Sequence, residues 1–206
     1  MKYMPTHGRL GPLRRASTRD VRGQTLRVTV AVVLAGLIAL LLVTPSASAY
    51  QLIGCKWSHK HIKFYVPSPL ASYGIWTAAA GLWSGLDANF VLTGSSPDMY
   101  GTNENRGNTV AWVGATRKKG TLQTPPPCPS GIYKHGKLEV VINWSKVNAL
   151  GYGNPKKKMV AAHELGHAFG LAHTPQHPEW LMYPSDTGRT VKVPQPNDKA
   201  GVNAIY

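Results

Sequence analysis

The stretch His163-Glu164-Leu165-Gly166-His167-Ala168-Phe169-Gly170-Leu171-Ala172-His173 decides the reading of this chain. In a helix each residue is rotated by about 100° from the last, so positions four apart lie one above the other. His163 and His167 therefore face one point in space. Glu164 stands about 100° round from His163, beside that point rather than on it. His173 lies about 280° round a continued helix and would face away. It reaches the same point only if the helix stops and the chain doubles back. Gly170 permits this, because glycine takes φ > 0 without a Cβ clash. Three imidazoles with a fourth position open are the ligand set of a catalytic zinc, which lowers the pKa of a bound water and polarises a carbonyl. Glu164 is placed to take a proton from that water.

Working outward, Gly151-Tyr152-Gly153 is followed by Asn154-Pro155, a cap residue and a proline at the first helical position, which predicts a helix to about Leu171. Lys156, Lys157 and Lys158 in its first turn have the wrong sign for the helix dipole. Leu138 to Asn143 is a strongly apolar strand, expected inside a sheet. His61 to Val66 reads as a strand, Ala71 to Leu86 as a helix on the spacing of Ile75, Leu82 and Leu86 with Trp76 and Trp83, and Phe90 to Leu92 as a short strand. Ser95 to Asn108 is polar and reads as a loop, Thr109 to Val113 as a strand, and Arg117 to Gly120 as a solvated hairpin end. Thr121 to Thr124 is a short extended piece stopped by Pro125-Pro126-Pro127. Thr174 to Pro196 is proline-rich loop, and Lys199 to Ile205 a terminal helix with Val202 and Ile205 inward.

The zinc motif resembles that of the metzincin metallopeptidases. Leu181-Met182-Tyr183-Pro184 resembles their methionine turn, in the form of the matrixin branch. Lys56-Trp57, Leu82-Trp83-Ser84 leading to Phe90-Val91-Leu92, Val141-Ile142-Asn143 and Asn197-Asp198-x-x-Gly201-Val202-x-x-Ile205-Tyr206 are similar to further matrixin segments. Thr121-Leu122-Gln123-Thr124 sits where the family's edge strand should be. The resemblance implies an α+β, zincin-like metzincin catalytic domain: a small twisted mixed sheet, an active-site helix, a methionine turn and a C-terminal helix. It implies His163, His167 and His173 as zinc ligands, Glu164 as the catalytic base, and Met182 as a floor beneath the ligands. It also implies that the free amine of a mature chain pairs with Asp198. The chain departs from the family in showing no prodomain or cysteine switch. It also lacks a recognisable His- and Asp-rich segment between Tyr100 and Leu138. One catalytic Zn2+ and no structural calcium are therefore expected. Position 184 is proline, where some metzincins place a tyrosine.

The formal charge is +14, but residues 1–49 hold seven of the 23 basic residues and one of the nine acids, leaving +8 on 50–206. So few acids argue against a calcium protein, and no nucleic-acid motif accompanies the charge. Val28 to Val43 is an uncharged run of sixteen residues, short of the roughly 20 a membrane span needs. It follows a basic stretch and precedes Ala47-Ser48-Ala49. This is the order of a signal peptide over 1–49, cleaved to leave residues 50–206 as a secreted, extracellular catalytic domain without stable membrane association. In an oxidising compartment Cys55 and Cys128 default to one disulfide, worth about 4 kcal/mol for a loop of this length.

These readings predict a secreted zinc endopeptidase, monomeric, acting on a protein or peptide bound as an extended strand. Thr121 to Thr124 is the expected substrate edge. Tyr183 to Val193, beginning with Tyr183 and Pro184, is the expected wall of a pocket for an apolar or aromatic side chain, with His163 on the opposite side. A non-catalytic zinc-holding binding domain is the alternative from another class, and an uncleaved N-terminal anchor the alternative for location. His59 and His61 read as surface histidines, and His177 as loop close to the site. Asp98, Asn103 and Glu104 match no calcium loop.

Overall fold

The computed structural model describes residues 50–67, 72–124, 126 and 128–206. The signal segment, the start of the expected helix at Ala71, and Pro125 and Pro127 lie outside the described residues. Five strands form one mixed sheet: β1 His61–Tyr65, β2 Asn89–Leu92, β3 Met99–Glu104, β4 Gly114–Lys118 and β5 Leu138–Asn143, in the order β2-β1-β3-β5-β4. All pairs are parallel except β4 against β5. Four helices complete the described chain: α1 Tyr73–Gly81, α2 Trp144–Ala149, α3 Asn154–Phe169 and α4 Pro196–Ile205. This is the α+β layout the motifs imply.

All six residues of β5 are buried, as expected for a strand paired on both sides and covered on both faces. The helix α3 packs against β5 and against α1, and Met159, Val160, Ala162 and Leu165 share one buried core with Trp76 and Trp83. Cys55 and Cys128 are bonded, their Cα atoms 6.0 Å apart, so the N-terminal stretch is tied to the segment that follows Thr124.

The structure corrects several sequence expectations. Ser95 to Asn108 is not all loop: Met99–Glu104 is β3, an internal strand paired with β1 and β5. Two of its polar residues are used across the fold. Asn103 Oδ1 accepts from Ser72 Oγ at 2.7 Å, and Glu104 pairs with Arg117 and with Arg106. Gly101 is there because a Cβ would lie 2.6 Å from the Phe64 ring on β1.

The strand expected at Thr109 to Val113 starts at Gly114 and runs through Arg117 and Lys118, which were expected in a solvated turn. Arg117 is only 1% exposed, its guanidinium held by Glu139 at 2.9 Å and by Glu104. Pairing makes burial of the cation tolerable, so the strand continues and the turn moves to Gly120 at φ +74°. Thr121 to Thr124 is consequently not a strand. It folds back on β4, with Lys118 N–H donating to Gln123 O at 3.1 Å, and the sheet edge is β4 itself.

The helix expected to reach Leu86 ends at Gly81, because Trp83 leaves it to bury against α3, where Nε1 donates to Ala162 O at 3.0 Å. The cap of α3 is Gly153, with Asn154 already helical. Its basic first turn is explained by neighbours: Lys156 Nζ lies 4.0 Å from the Tyr152 ring centroid, and Lys157 Nζ lies 4.4 Å from that of Trp144.

Candidate active site

The last two turns of α3 carry His163 and His167 to the same side, as their spacing requires. Gly170 then adopts φ +111° and ends the helix, its N–H bonding His167 O and the next N–H bonding Gly166 O. The reversed chain delivers His173. Its Nε2 lies 3.2 Å from His163 Nε2 and 3.1 Å from His167 Nε2. Gly170 is also required sterically, since a Cβ there would run into the Cys55 carbonyl.

The remaining ring nitrogens are oriented by carbonyls. His163 Nδ1 lies 2.8 Å from Leu181 O and His167 Nδ1 lies 2.7 Å from Leu171 O. A carbonyl only accepts, so His167 Nδ1 carries the proton and its Nε2 lone pair faces the common point, whereas His163 Nδ1 lies between Leu181 O and the donor Arg189 Nη2, 2.9 Å away. Burial pushes the His163 and His167 imidazoles down, His167 to about 3, with Arg189 adding to the shift on His163 and His173 to that on His167. Burial also lowers His173. Three imidazoles whose Nε2 atoms converge to within 3.2 Å leave room for a cation between them, and nitrogen donors in this number suit zinc. The residues present therefore fit the ion. His163, His167 and His173 are the one His, Cys, Asp or Glu cluster of metal-binding geometry among the described residues.

Glu164 is buried beside the triad and faces a cleft of about 710 Å³. Burial raises its carboxyl to about 7, against the opposing effects of a Thr116 hydrogen bond and the Arg189 charge. A dication in the triad would draw that value down again. Beneath the ligands Met182 is 1% exposed and touches Gly166, where a Cβ would collide with its sulfur. The methionine turn is held by α4: Asp198 accepts from Leu181 N–H at 3.0 Å and Met182 N–H at 3.2 Å, and from Gln195 N–H at 2.7 Å. These backbone bonds are the role the structure shows for Asp198.

Of the expected substrate residues, Leu122, Thr124 and Pro184 line the cleft, while Thr121, Gln123 and Tyr183 do not. Asp186 and Arg189, inside the expected Tyr183 to Val193 wall, also line it, and the sequence reading missed Gly114 to Arg117, which line it too. Asp186 accepts from the Tyr152 hydroxyl, and Arg189 donates from Nη2 to Tyr183 O at 2.6 Å. The wall after the methionine turn thus carries two charges beside Pro184. The sequence placed their segment at the site, but no short-range pattern signals their contacts, because the loop is irregular.

The other singled-out residues lie elsewhere. His59 and His135 both bond the buried Asp98, at 2.8 and 2.6 Å, and His61 bonds Asn89. Asp98, Asn103 and Glu104 each have separate partners and do not converge. His177 stacks on Trp180 at 3.6 Å between centroids and pairs with Glu179.

The model of the Matrixin family matches residues 133–206. The chain is matrixin-like. The matched part runs from β5 through α3 and the methionine turn to α4, and with the histidine triad it supports a zinc metallopeptidase. The matrixin match leaves β1 to β4 outside it, although β4 forms one side of the cleft. No curated protein matches the chain.

Proposed function

We propose that this matrixin-like protein is a secreted zinc endopeptidase in which Glu164 is the general base. The observation that carries the reading is the buried Glu164 carboxyl placed beside three converging imidazoles and open to a cleft. A domain that only held zinc would have no use for an acid at that point. When bound, zinc supplies a Lewis acid that activates water and polarises the scissile carbonyl. Glu164 accepts a proton from the attacking water and later passes it to the departing amine. His163, His167 and His173 hold the ion, and their Nδ1 carbonyl partners keep the rings in place.

The substrate is a protein or peptide segment laid as an extended strand along β4. Among the described residues, β4 ends the sheet, so its outward main-chain groups before Lys118, which is already bonded to Thr121 and Gln123, can bond a strand without demanding sequence. Trp112, Leu122 and Pro126 border that side of the cleft, and Pro184 and Arg189 border the other. The domain acts as a monomer, without nucleic acid, and leaves the cell after cleavage behind Ala49.

The test is an unbiased peptide-library digest with protein recovered from the culture medium, with and without chelator, plus N-terminal sequencing. Internal cleavages abolished by chelator and restored by zinc, in a chain beginning at Tyr50, are expected. No cleavage by zinc-loaded protein would overturn the enzyme reading, and retention of residues 1–49 would overturn the signal assignment.

A further inference from the structure

The Glu164 carboxyl is gripped by two residues of the edge strand. Thr116 Oγ1 lies 2.9 Å from Glu164 Oε2 and 2.8 Å from the Glu164 main-chain oxygen. Gly114 closes the other side: a Cβ there would fall 2.7 Å from Glu164 Oε1 and 2.8 Å from Val160 Cγ1. Residues two apart on a strand share a face, so one face of β4 presents a bare Cα to one carboxyl oxygen and a hydroxyl to the other. The register with β5, Gly114 opposite Ile142 and Thr116 opposite Val140, fixes both positions.

We propose that Thr116 and Gly114 are positioning residues for the general base, so that the strand expected to bind substrate also sets the aim of Glu164. The proposal rests on the peptidase reading above for its kinetic consequence, though not for the contact itself. A general base must hold its place both before and after it receives a proton. A carboxylate only accepts hydrogen bonds, whereas a carboxylic acid both donates and accepts. A hydroxyl suits both. With Glu164 ionised, or protonated on Oε1, Thr116 donates to Oε2. With the proton on Oε2, Thr116 accepts it and turns its own proton to the Glu164 main-chain oxygen 2.8 Å away. A methyl group can do neither, and a main-chain N–H could do only the first. Gly114 adds the steric half, since a side chain there would push the carboxyl off the edge strand.

The experiment compares Thr116→Val, Thr116→Ser and Gly114→Ala with the wild-type full-length protein processed by its host. Zinc content, kcat and KM are measured separately on one peptide, and crystal structures are determined for the wild type and Thr116→Val. Valine matches threonine in shape and lacks only the hydroxyl. Thr116→Val should keep zinc and a KM within about twofold, and lose roughly ten- to a hundredfold in kcat, the range of a hydrogen bond to a charged group. Thr116→Ser should stay within about threefold of wild type. Gly114→Ala should lower kcat with the Glu164 carboxyl displaced from β4. In the crystals, Glu164 should be ordered against Thr116 in the wild type and rotated or split in Thr116→Val.

A kcat for Thr116→Val within twofold of wild type would overturn the proposal. So would a serine variant as slow as the valine one, or a wild-type crystal in which Glu164 makes no contact with Thr116. If wild-type protein shows no chelator-sensitive cleavage while the crystals keep the contact, the peptidase reading fails and the positioning geometry stands. If cleavage is present and the crystals lack the contact, the reverse holds.

Discussion

Gly170→Ala separates the delivery of His173 from ordinary backbone strain. Gly170 sits at φ +111°, and a Cβ there would meet the Cys55 carbonyl, a backbone atom that the Cys55–Cys128 bond and the Ile53 N–H···Gly170 O bond of 2.8 Å hold in place. Gly151 is the control, at φ +66° with nothing within 4 Å of a built Cβ. Alanine at 151 should cost only the left-handed penalty, about 1–2 kcal/mol, or a Tm drop of a few degrees for a domain of this size. Alanine at 170 carries that penalty and must also move either Cys55 or the 170–173 turn. About 3 kcal/mol or more is expected, a Tm drop of roughly 6–12 °C. If the turn moves, His173 no longer meets His163 and His167, and the third ligand is lost. The assay is thermal unfolding of the metal-free proteins together with zinc titration by calorimetry. Gly151→Ala should bind one zinc per chain with near-wild-type affinity, and Gly170→Ala should bind at least about a hundredfold more weakly. Equal Tm shifts with full zinc affinity in both variants would refute the argument that Gly170 is fixed by close approach as well as by φ.

Glu164→Gln should retain zinc, because Glu164 is not a ligand, and lose at least about a hundredfold in turnover; a rate within tenfold of wild type would remove it as the base. In metal-free protein the Glu164 carboxyl, raised to about 7 by burial, binds a proton that the unfolded chain has already released above about pH 4.5. Stability from this group therefore falls as pH rises from about 4.5 to 7, and Glu164→Gln should gain on wild type by about 3 kcal/mol across that window, read from urea midpoints. A difference that is flat with pH would contradict the raised value. Replacing Cys55 and Cys128 together by serine should cost about 2–5 kcal/mol, measured by denaturant unfolding under oxidising conditions. Labelling of both wild-type thiols in folded protein would contradict the bond.

The site was legible in the sequence where its geometry is local. His163 and His167 face one way because helical rotation makes them do so, and Gly170 marks the turn to His173 because few other residues could take its φ. Leu138 to Asn143 announced an internal strand because it is buried on both faces and so apolar throughout. The methionine turn and the Cys55–Cys128 pair were likewise open to reading from short patterns and compartment. What only the tertiary structure decided lies in β3, β4 and the loop after Met182. Tyr100-Gly101-Thr102-Asn103-Glu104 has the composition of a loop, and it is a strand because Phe64 needs the space at Gly101 and Arg117 needs the charge of Glu104. Arg117 looked like a solvated turn residue, and it is core because Glu139 and Glu104 reach it from strands far away in sequence. That burial carries β4 past the expected turn and puts Thr116 on Glu164, 48 residues further along the chain. Periodicity reports a residue's neighbours within a few positions. It carries no record of which distant partner will satisfy a buried charge or occupy the space left by a missing side chain. Those pairings exist only once the sheet has closed.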